Sequence, residues 1–344
     1  MSKSAKIKFA IVGCGRIGKR YIQLLLEHPQ TELVALIDVK SIAETGVDAA
    51  IPYFKTLEEF FAAGIDTDII VIATPNGLHA EQATKCLEQG FHVLIEKPIA
   101  LKAEDAQKIF ERAEFARKYA FAVMQIRYAA AAKWLKTLID AGELGKIYFV
   151  QVNCFWNRDG RYYAGHEWHG SKRLDGGPLF TQFAHFVDML YWLFGDLINI
   201  QGALSNFAHK GLTDFEDTGV FSFQLAKGGM GSFNYTTAVC DQNFESSISI
   251  IGEKGTVKVS GQYMDTIEYC HLQNQELSAQ PDMAANENND HSSSSHHYAL
   301  ISDVVSVLLG EQNYHDDVLD GIAVVDIIER MNGQLKFSFK KSVV

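Results

Sequence analysis

The sequence predicts an α/β protein with two domains, and three observations carry that expectation. From residue 6 to about 125, short apolar runs alternate with segments of helical period. A glycine-rich hexapeptide, Gly13-Cys14-Gly15-Arg16-Ile17-Gly18, follows the first of these runs directly. Beyond about residue 145 the rhythm changes to long runs of strand composition. Alternating strands and helices give right-handed crossovers and a parallel sheet, whereas successive strands joined by tight turns give an antiparallel one. The expected domains are therefore residues 1–124, wound on a parallel sheet, and residues 125–344, an α/β domain on a mostly antiparallel sheet.

The elements follow in order. The candidate strands of the first domain are residues 6–12, 32–38, 68–74 and 91–96, each short, apolar and rich in β-branched residues. Between them GKRYIQLLLEHP, EEFFAAG and HAEQATKCLEQG carry the helical period. In the second domain KIYFVQVNCFW, TGVFSFQLAKGGMGSFNYTTAV and SSISIIGEKGTVKV read as strands, with GGMG and GEKG as hairpin turns. One strong helical segment, residues 180–195, interrupts them. The polar, low-complexity tract 284–297 reads as a mobile loop, and two helices and a closing strand, LKFSF, complete the chain.

Composition narrows the class. At 344 residues, 47% hydrophobic and 21% charged, the chain resembles an ordinary globular protein with room for two cores. A net charge of −11, with no long lysine and arginine cluster, disfavours nucleic acid as a partner. The five cysteines are scattered and never spaced as C-x-x-C, as suits a reducing compartment. The early apolar run IKFAIVGCG ends in glycines where a leader peptide would stay hydrophobic, and no run approaches the roughly 20 apolar residues of a membrane span. A soluble, cytoplasmic protein without a membrane partner is expected.

The hexapeptide Gly13–Gly18 has the G-x-G-x-x-G pattern between a strand and a helix. In that context the first glycine allows a tight turn, the second lets a pyrophosphate approach the backbone, and the third lets the helix pack on the strand. Arg16 and Ile17 then open a helix whose N–H groups face an anion. Twenty residues after Gly18 stands Asp38, at the end of a strand, where a carboxylate accepts from both ribose hydroxyls and repels a 2′-phosphate. The expected cofactor is NAD rather than NADP. A structural glycine turn with a chance aspartate is the plainer alternative.

Two further strand ends lie where ligands bind in such sheets. Thr74-Pro75-Asn76, with His79 at the next helix start, would pass beside the nicotinamide ribose, although Thr-Pro-Asn is also a generic turn. Glu96-Lys97-Pro98 ends the apolar run HVLI, and a lysine there can stabilise the alkoxide that develops as hydride leaves carbon. Pro98 would fix the backbone, through a cis bond if one forms. A surface lysine before a helix is the alternative.

Together GCGRIG, ATPNGLHAEQATKCLEQGFHVLIEKPIAL and DGGPLFTQFAHFVDMLYWLFG resemble the glucose-fructose oxidoreductase, inositol dehydrogenase and MocA family over nearly the whole chain. The resemblance implies an N-terminal Rossmann domain, a C-terminal α/β domain with a large open sheet, NAD(P) as cofactor and Lys97 as a catalytic residue. It also implies a catalytic histidine, matched by His185, with an aspartate four residues earlier. That position is Thr181 here, which removes a second acid/base candidate. At helical spacing Thr181, His185 and Asp188 would share a face, so Asp188 could orient His185 or pair elsewhere.

The segments CFWNRDGRYYAGHEWHGSKRLDGGPLF, FEDTG and SISIIGEKGTVKV are most similar to dehydrogenases of bacterial surface-polysaccharide synthesis, which oxidise C3 of a UDP-linked N-acetylated sugar or its uronic acid. On this likeness the substrate positions are Gln125, Arg127, Arg158, Arg161, Lys172, Arg173, Thr181, Gln182 and His185, the cations suiting a diphosphate or carboxylate. The cofactor positions are Gly13, Gly15, Arg16, Ile17, Gly18, Asp38, Thr74, Pro75, Asn76, His79, Glu96 and Lys97. His166 and His169, and His291, His296 and His297, lack the carboxylate or cysteine partners of a zinc site, so no metal is expected. The resulting expectation is an NAD-dependent sugar dehydrogenase with His185 as base and Lys97 polarising the oxygen. A polyol dehydrogenase and a regulatory NAD-binding protein are the rivals. An open sheet with an uncovered face also implies a homodimer or homotetramer.

Overall fold

Strands buried on both faces form the first sheet, and strands buried on one face form the second. The computed structural model describes residues 6–165, 167–273, 289–314 and 317–336; the side chains of 289–294 lie outside that description. The chain groups into two units, Met1–Gln125 with Ser293–Ile322, and Ile126–Ser292 with Ala323–Val344.

The first unit runs β1 (Ile7–Val12), α1 (Arg16–Glu27), β2 (Thr31–Ile37), α2 (Ile42–Thr45), β3 (Tyr53–Phe54), α3 (Leu57–Ala63), β4 (Ile69–Ile72), α4 (His79–Glu88), β5 (His92–Ile95), α5 (Ala103–Ala116) and β6 (Ala120–Ala122). Its six strands are all parallel, in the order β3-β2-β1-β4-β5-β6. This is the doubly wound arrangement, with the order reversing between β1 and β4. Every residue of β4 and β6 is buried, which explains their unbroken apolar composition. The two-residue β3 and three-residue β6 are too short to show a period in the sequence.

The second unit contains α6 (Ala130–Asp140), β7 (Ile147–Phe155), α7 (Gly160–Ala164), α8 (Pro178–Thr181), α9 (Ala184–Phe194), β8 (Leu197–Ser205), β9 (Thr218–Leu225), β10 (Met230–Thr236), β11 (Glu245–Gly252), β12 (Gly255–Ser260) and β13 (Thr266–Leu272). After α10 (Asn289–Leu308) and α11 (Asp317–Asn332), β14 (Leu335–Lys336) completes an eight-stranded sheet ordered β13-β12-β11-β7-β10-β9-β8-β14. The GGMG and GEKG turns close the antiparallel β9–β10 and β11–β12 pairs. The β7–β10 and β8–β14 pairs are parallel, so the sheet is mixed while mostly antiparallel. Along β9 and β10 burial alternates. Phe221, Phe223, Phe233 and Tyr235 are buried, while Val220 and Met230 on the opposite face are exposed.

Three expectations are corrected. The segment 180–195 is two helices rather than one, because the Phe183 N–H bonds back five residues to the Pro178 carbonyl, where an α-helix reaches four. The tract 284–297 is helical from Asn289 onward, and residues 284–288 lie outside the described residues. His296, His297, Leu300, Ile301, Val304 and Val305 form one buried stripe at helical spacing, so burial extends the helix back through a polar stretch. Finally, residues 293–322 group with the first unit rather than the second. The His28 ring lies 5.2 Å from that of Tyr298, and the Tyr314 hydroxyl donates to the Ala120 carbonyl at 2.7 Å.

Candidate active site

Register gathers the motifs of the first unit along one edge. Val12 lies beside Ile37 and Ile72, and Ile72 lies beside Ile95, so β1, β2, β4 and β5 end level with one another. The next residues in each case are Gly13, Asp38, Ala73 with Thr74, and Glu96 with Lys97. In a parallel sheet this is the edge where ligands bind.

The three glycines of the loop answer to different neighbours. A Cβ on Gly13 would lie 2.6 Å from the Ala73 carbonyl oxygen, and one on Gly18 would lie 1.9 Å from that of Gly13. Packing alone therefore requires both. A Cβ on Gly15 meets nothing within 4 Å, so the space above it is open to a ligand. Gly15 caps α1, no side chain caps the helix, and its first turn, with Arg16 and Ile17, has no acidic residue. Open backbone at an uncapped helix start fits a pyrophosphate. The Asp38 carboxylate is aimed at this loop, accepting the backbone N–H of Cys14 at 2.7 Å and that of Lys40 at 2.8 Å. Cys14 itself is no nucleophile: burial, and then the charge of Asp38, push its thiol up to about 12.

The ends of β4 and β5 are tied together from inside. Thr74 donates its hydroxyl to Gln82 at 2.6 Å, Pro75 leads a single helical turn, and Asn76 is buried. His79 is buried too, with its ring nitrogens 2.8 Å from the carbonyl oxygens of Thr74 and Pro98. Burial lowers its pKa, against the pull of those carbonyls; a neutral ring has one N–H and donates to one carbonyl, and donation to both takes the protonated ring. Its contacts are with main chain rather than with an open surface. The Lys97–Pro98 bond is cis, and Lys97 is half-buried. Glu96 points inward, where it accepts the hydroxyl of Tyr21 at 2.9 Å.

In the second unit an aromatic cluster surrounds the start of α9. Trp156 packs edge-on against Phe183 and Phe186, which flank His185 in the sequence, and donates its ring N–H to Ser246 at 2.6 Å. The Arg158 guanidinium lies over the rings of Trp156 and Tyr162, at 4.8 and 5.1 Å from their centroids. Gln182, buried, donates to the Tyr162 hydroxyl at 2.9 Å, and His169 stacks on the Tyr162 ring. Thr181 donates its hydroxyl to both the carboxylate and the carbonyl of Asp175. Asp175, only 1% exposed, also accepts the Gly170 N–H. His185 is half-buried at the second residue of α9.

Other expected residues make other contacts. Arg127 grips Asp188 with two guanidinium nitrogens and lies over the Trp192 ring, so Asp188 pairs there. Gln125 is buried at the start of the turn before α6. Arg161 is exposed and paired with Asp159 and Asp241, and Lys172 and Arg173 are exposed. His166 and the side chain of His291 lie outside the described residues. Among the described residues no group of three or more histidine, cysteine, aspartate or glutamate side chains could hold a metal ion, and no helix is long and apolar enough to cross a membrane. The sequence reading missed Asp175, Tyr162, Tyr21 and the Glu96 partner His297. Asp175, beside the Gly176-Gly177 pair, was the only one with a local signal.

Residues 7–123 match the oxidoreductase family with an NAD-binding Rossmann fold, and residues 132–258 match the GFO/IDH/MocA C-terminal domain. The WlbA dehydrogenase from Bordetella pertussis, solved in complex with NADH and UDP-GlcNAcA, is 33% identical, with a TM-score of 0.84 and 95% of each chain covered. The inositol 2-dehydrogenase of Rubrobacter xylanophilus is 27% identical over 74% of this chain and 72% of its own. The uncharacterized oxidoreductase sll0816 of Synechocystis is 27% identical over 75% and 72%. With the open glycine loop and Asp38, these likenesses make the protein an NAD-dependent enzyme acting on CH–OH groups. The chain belongs to the GFO/IDH/MocA family of oxidoreductases.

Proposed function

We propose that the enzyme oxidises a secondary hydroxyl, at C3, of a nucleotide-linked N-acetylated sugar or its uronic acid, in cytoplasmic synthesis of surface polysaccharide. The observation that carries this reading is the Arg158 guanidinium lying over the Trp156 and Tyr162 rings, with Trp156 packed on Phe183 at the start of α9. A cation fixed by stacking, with a polar rim of Gln182 and Tyr162, suits an anionic sugar ligand. The likeness to a dehydrogenase solved with NADH and UDP-GlcNAcA supports it.

In this reading His185 accepts the hydroxyl proton as general base, and Lys97 stabilises the oxygen as negative charge develops. Bound NAD supplies the hydride acceptor, carbon 4 of the nicotinamide. Gly15 and the start of α1 hold the pyrophosphate, and Asp38 holds the adenosine ribose. The carbon–hydrogen and oxygen–hydrogen bonds break as the carbonyl forms. The exposed Val220, Met230 and Ile251 on the outward face of the eight-stranded sheet support a homodimer or homotetramer.

The test is purified protein with NAD against UDP-linked N-acetylated sugars, their uronic acids and free polyols, following reduced nicotinamide. A nucleotide sugar should exceed every polyol in kcat/KM by at least about tenfold, or 1.4 kcal/mol. Turnover of inositol alone would replace this reading with that of a polyol dehydrogenase, which the 27% likeness to inositol 2-dehydrogenase favours. NAD should bind more tightly than NADP, with Asp38→Ala narrowing the gap.

A further inference from the structure

Three buried polar groups meet one residue from Lys97. Oε1 of Glu96 accepts the Tyr21 hydroxyl at 2.9 Å and lies 3.4 Å from Nε2 of His297. Oε2 accepts the backbone N–H of Lys97 at 3.2 Å. Tyr21, on α1, is fully buried, and His297, on α10, and Glu96 are 1% and 6% exposed. The rings of Tyr21 and His297 meet edge to face at 5.6 Å. Stability alone does not call for such a cluster, because well-packed apolar side chains commonly serve as well as a buried ionic network.

The other groups around the carboxylate are accounted for. Burial lowers the pKa of His79, at the start of α4, and Arg20 acts on Tyr21 from α1. Burial by itself would raise the Glu96 pKa. The hydrogen bond and charge of His297, the charge of Lys97 and the Tyr21 hydroxyl outweigh it and hold the acid down to about 2. Glu96 is therefore an anion throughout the working range.

We propose that Glu96 is a positioning residue for Lys97: its buried carboxylate fixes the lysine main chain and is the counter-charge of the lysine ammonium, while Tyr21 and His297 lock the carboxylate in place. The inference rests on the reading of Lys97 as a catalytic group. It makes Lys97 an ammonium that stabilises the substrate oxygen, and leaves proton acceptance to His185. It also links the lysine to the glycine-loop helix through Tyr21 and to α10 through His297.

The experiment follows the side-chain nitrogen of Lys97 by NMR in the full chain, with its signal identified by loss in Lys97→Met. In Glu96→Gln, which keeps the shape, removal of the negative neighbour should lower the titration midpoint by about one pH unit or more. kcat should fall about tenfold or more. Tyr21→Phe should move the midpoint in the same direction by less, and it decides the matter if Glu96→Gln does not fold. An unshifted midpoint, whatever happens to the melting temperature, reduces Glu96 to a structural role and overturns the proposal. Should Lys97→Met keep its turnover, the catalytic reading of Lys97 fails by itself, and the titration still reports whether Glu96 sets the lysine's charge.

Discussion

The two units hold their candidate residues with different materials. In the first, main chain does most of the work: strand ends lie level, the glycine loop and the start of α1 leave open backbone, and Asp38 is itself held by backbone N–H groups. In the second, side chains hold side chains, with Arg158 over Trp156 and Tyr162, Gln182 on Tyr162, Thr181 on Asp175 and Arg127 on Asp188. Main-chain construction tolerates few residue types at each position, so it leaves a short motif. Side-chain construction admits many solutions and leaves no short motif.

The sharpest way to break this contrast is within the glycine loop. Gly18→Ala places a methyl group 1.9 Å from a carbonyl oxygen, so the first unit should not fold, as judged by loss of a cooperative melting transition. Gly15→Ala meets no protein atom, so it should melt within about 4 °C of wild type. It should nevertheless weaken NAD by at least about tenfold, or 1.4 kcal/mol. Unchanged NAD affinity in Gly15→Ala would refute the ligand role of that backbone.

Next in size are the proposed base and its lysine. Lys97→Met and His185→Ala should each lose about a hundredfold to ten-thousandfold in kcat while NAD still binds. Added imidazole should partly restore His185→Ala. Near-normal turnover in His185→Ala, with Lys97→Met inactive, would pass the role of base to Lys97.

A smaller effect tests the side-chain construction. Asp188 is 1% exposed, so Arg127→Ala should destabilise the second unit by about 3–5 kcal/mol in urea unfolding, because it removes the guanidinium from a buried charge. Lys136→Ala removes a more exposed pair with Asp140 and should change stability by less than about 0.5 kcal/mol. A raised KM with unaltered stability in Arg127→Ala would instead place Arg127 on the substrate.

The gentlest probe is acid. Burial lowers the His92 pKa from 6.5 to about 4, so the stability it contributes is complete above 6.5 and is lost as pH falls toward 4. For Glu96, with its carboxyl held near 2, the contribution is complete above 4.5 and is lost between 4.5 and about 2. Urea midpoints measured against pH should show both losses in the wild type. In Glu96→Gln the lower one should vanish and the upper one persist. Retention of the lower loss would mean that another acid carries it.

The sequence by itself determined the fold class, the glycine loop with Asp38, the position of Lys97 at a strand end, and the hairpins at GGMG and GEKG. Each of these depends on contacts between near neighbours, on the period of apolar residues, or on a backbone conformation that few residues adopt. Only the tertiary structure decided the rest. The segment 180–195 has an unbroken helical composition, yet the helix breaks at Gln182 and Phe183. Asp188 turns to Arg127, 61 positions earlier, and Glu96 to His297, 201 positions later. The polar run before Leu300 carries no apolar signal, yet His296 and His297 are buried once the stripe that continues through Val305 is covered. Partners so distant in the chain are chosen by burial, because a charge or polar ring removed from water must find a partner wherever the fold provides one.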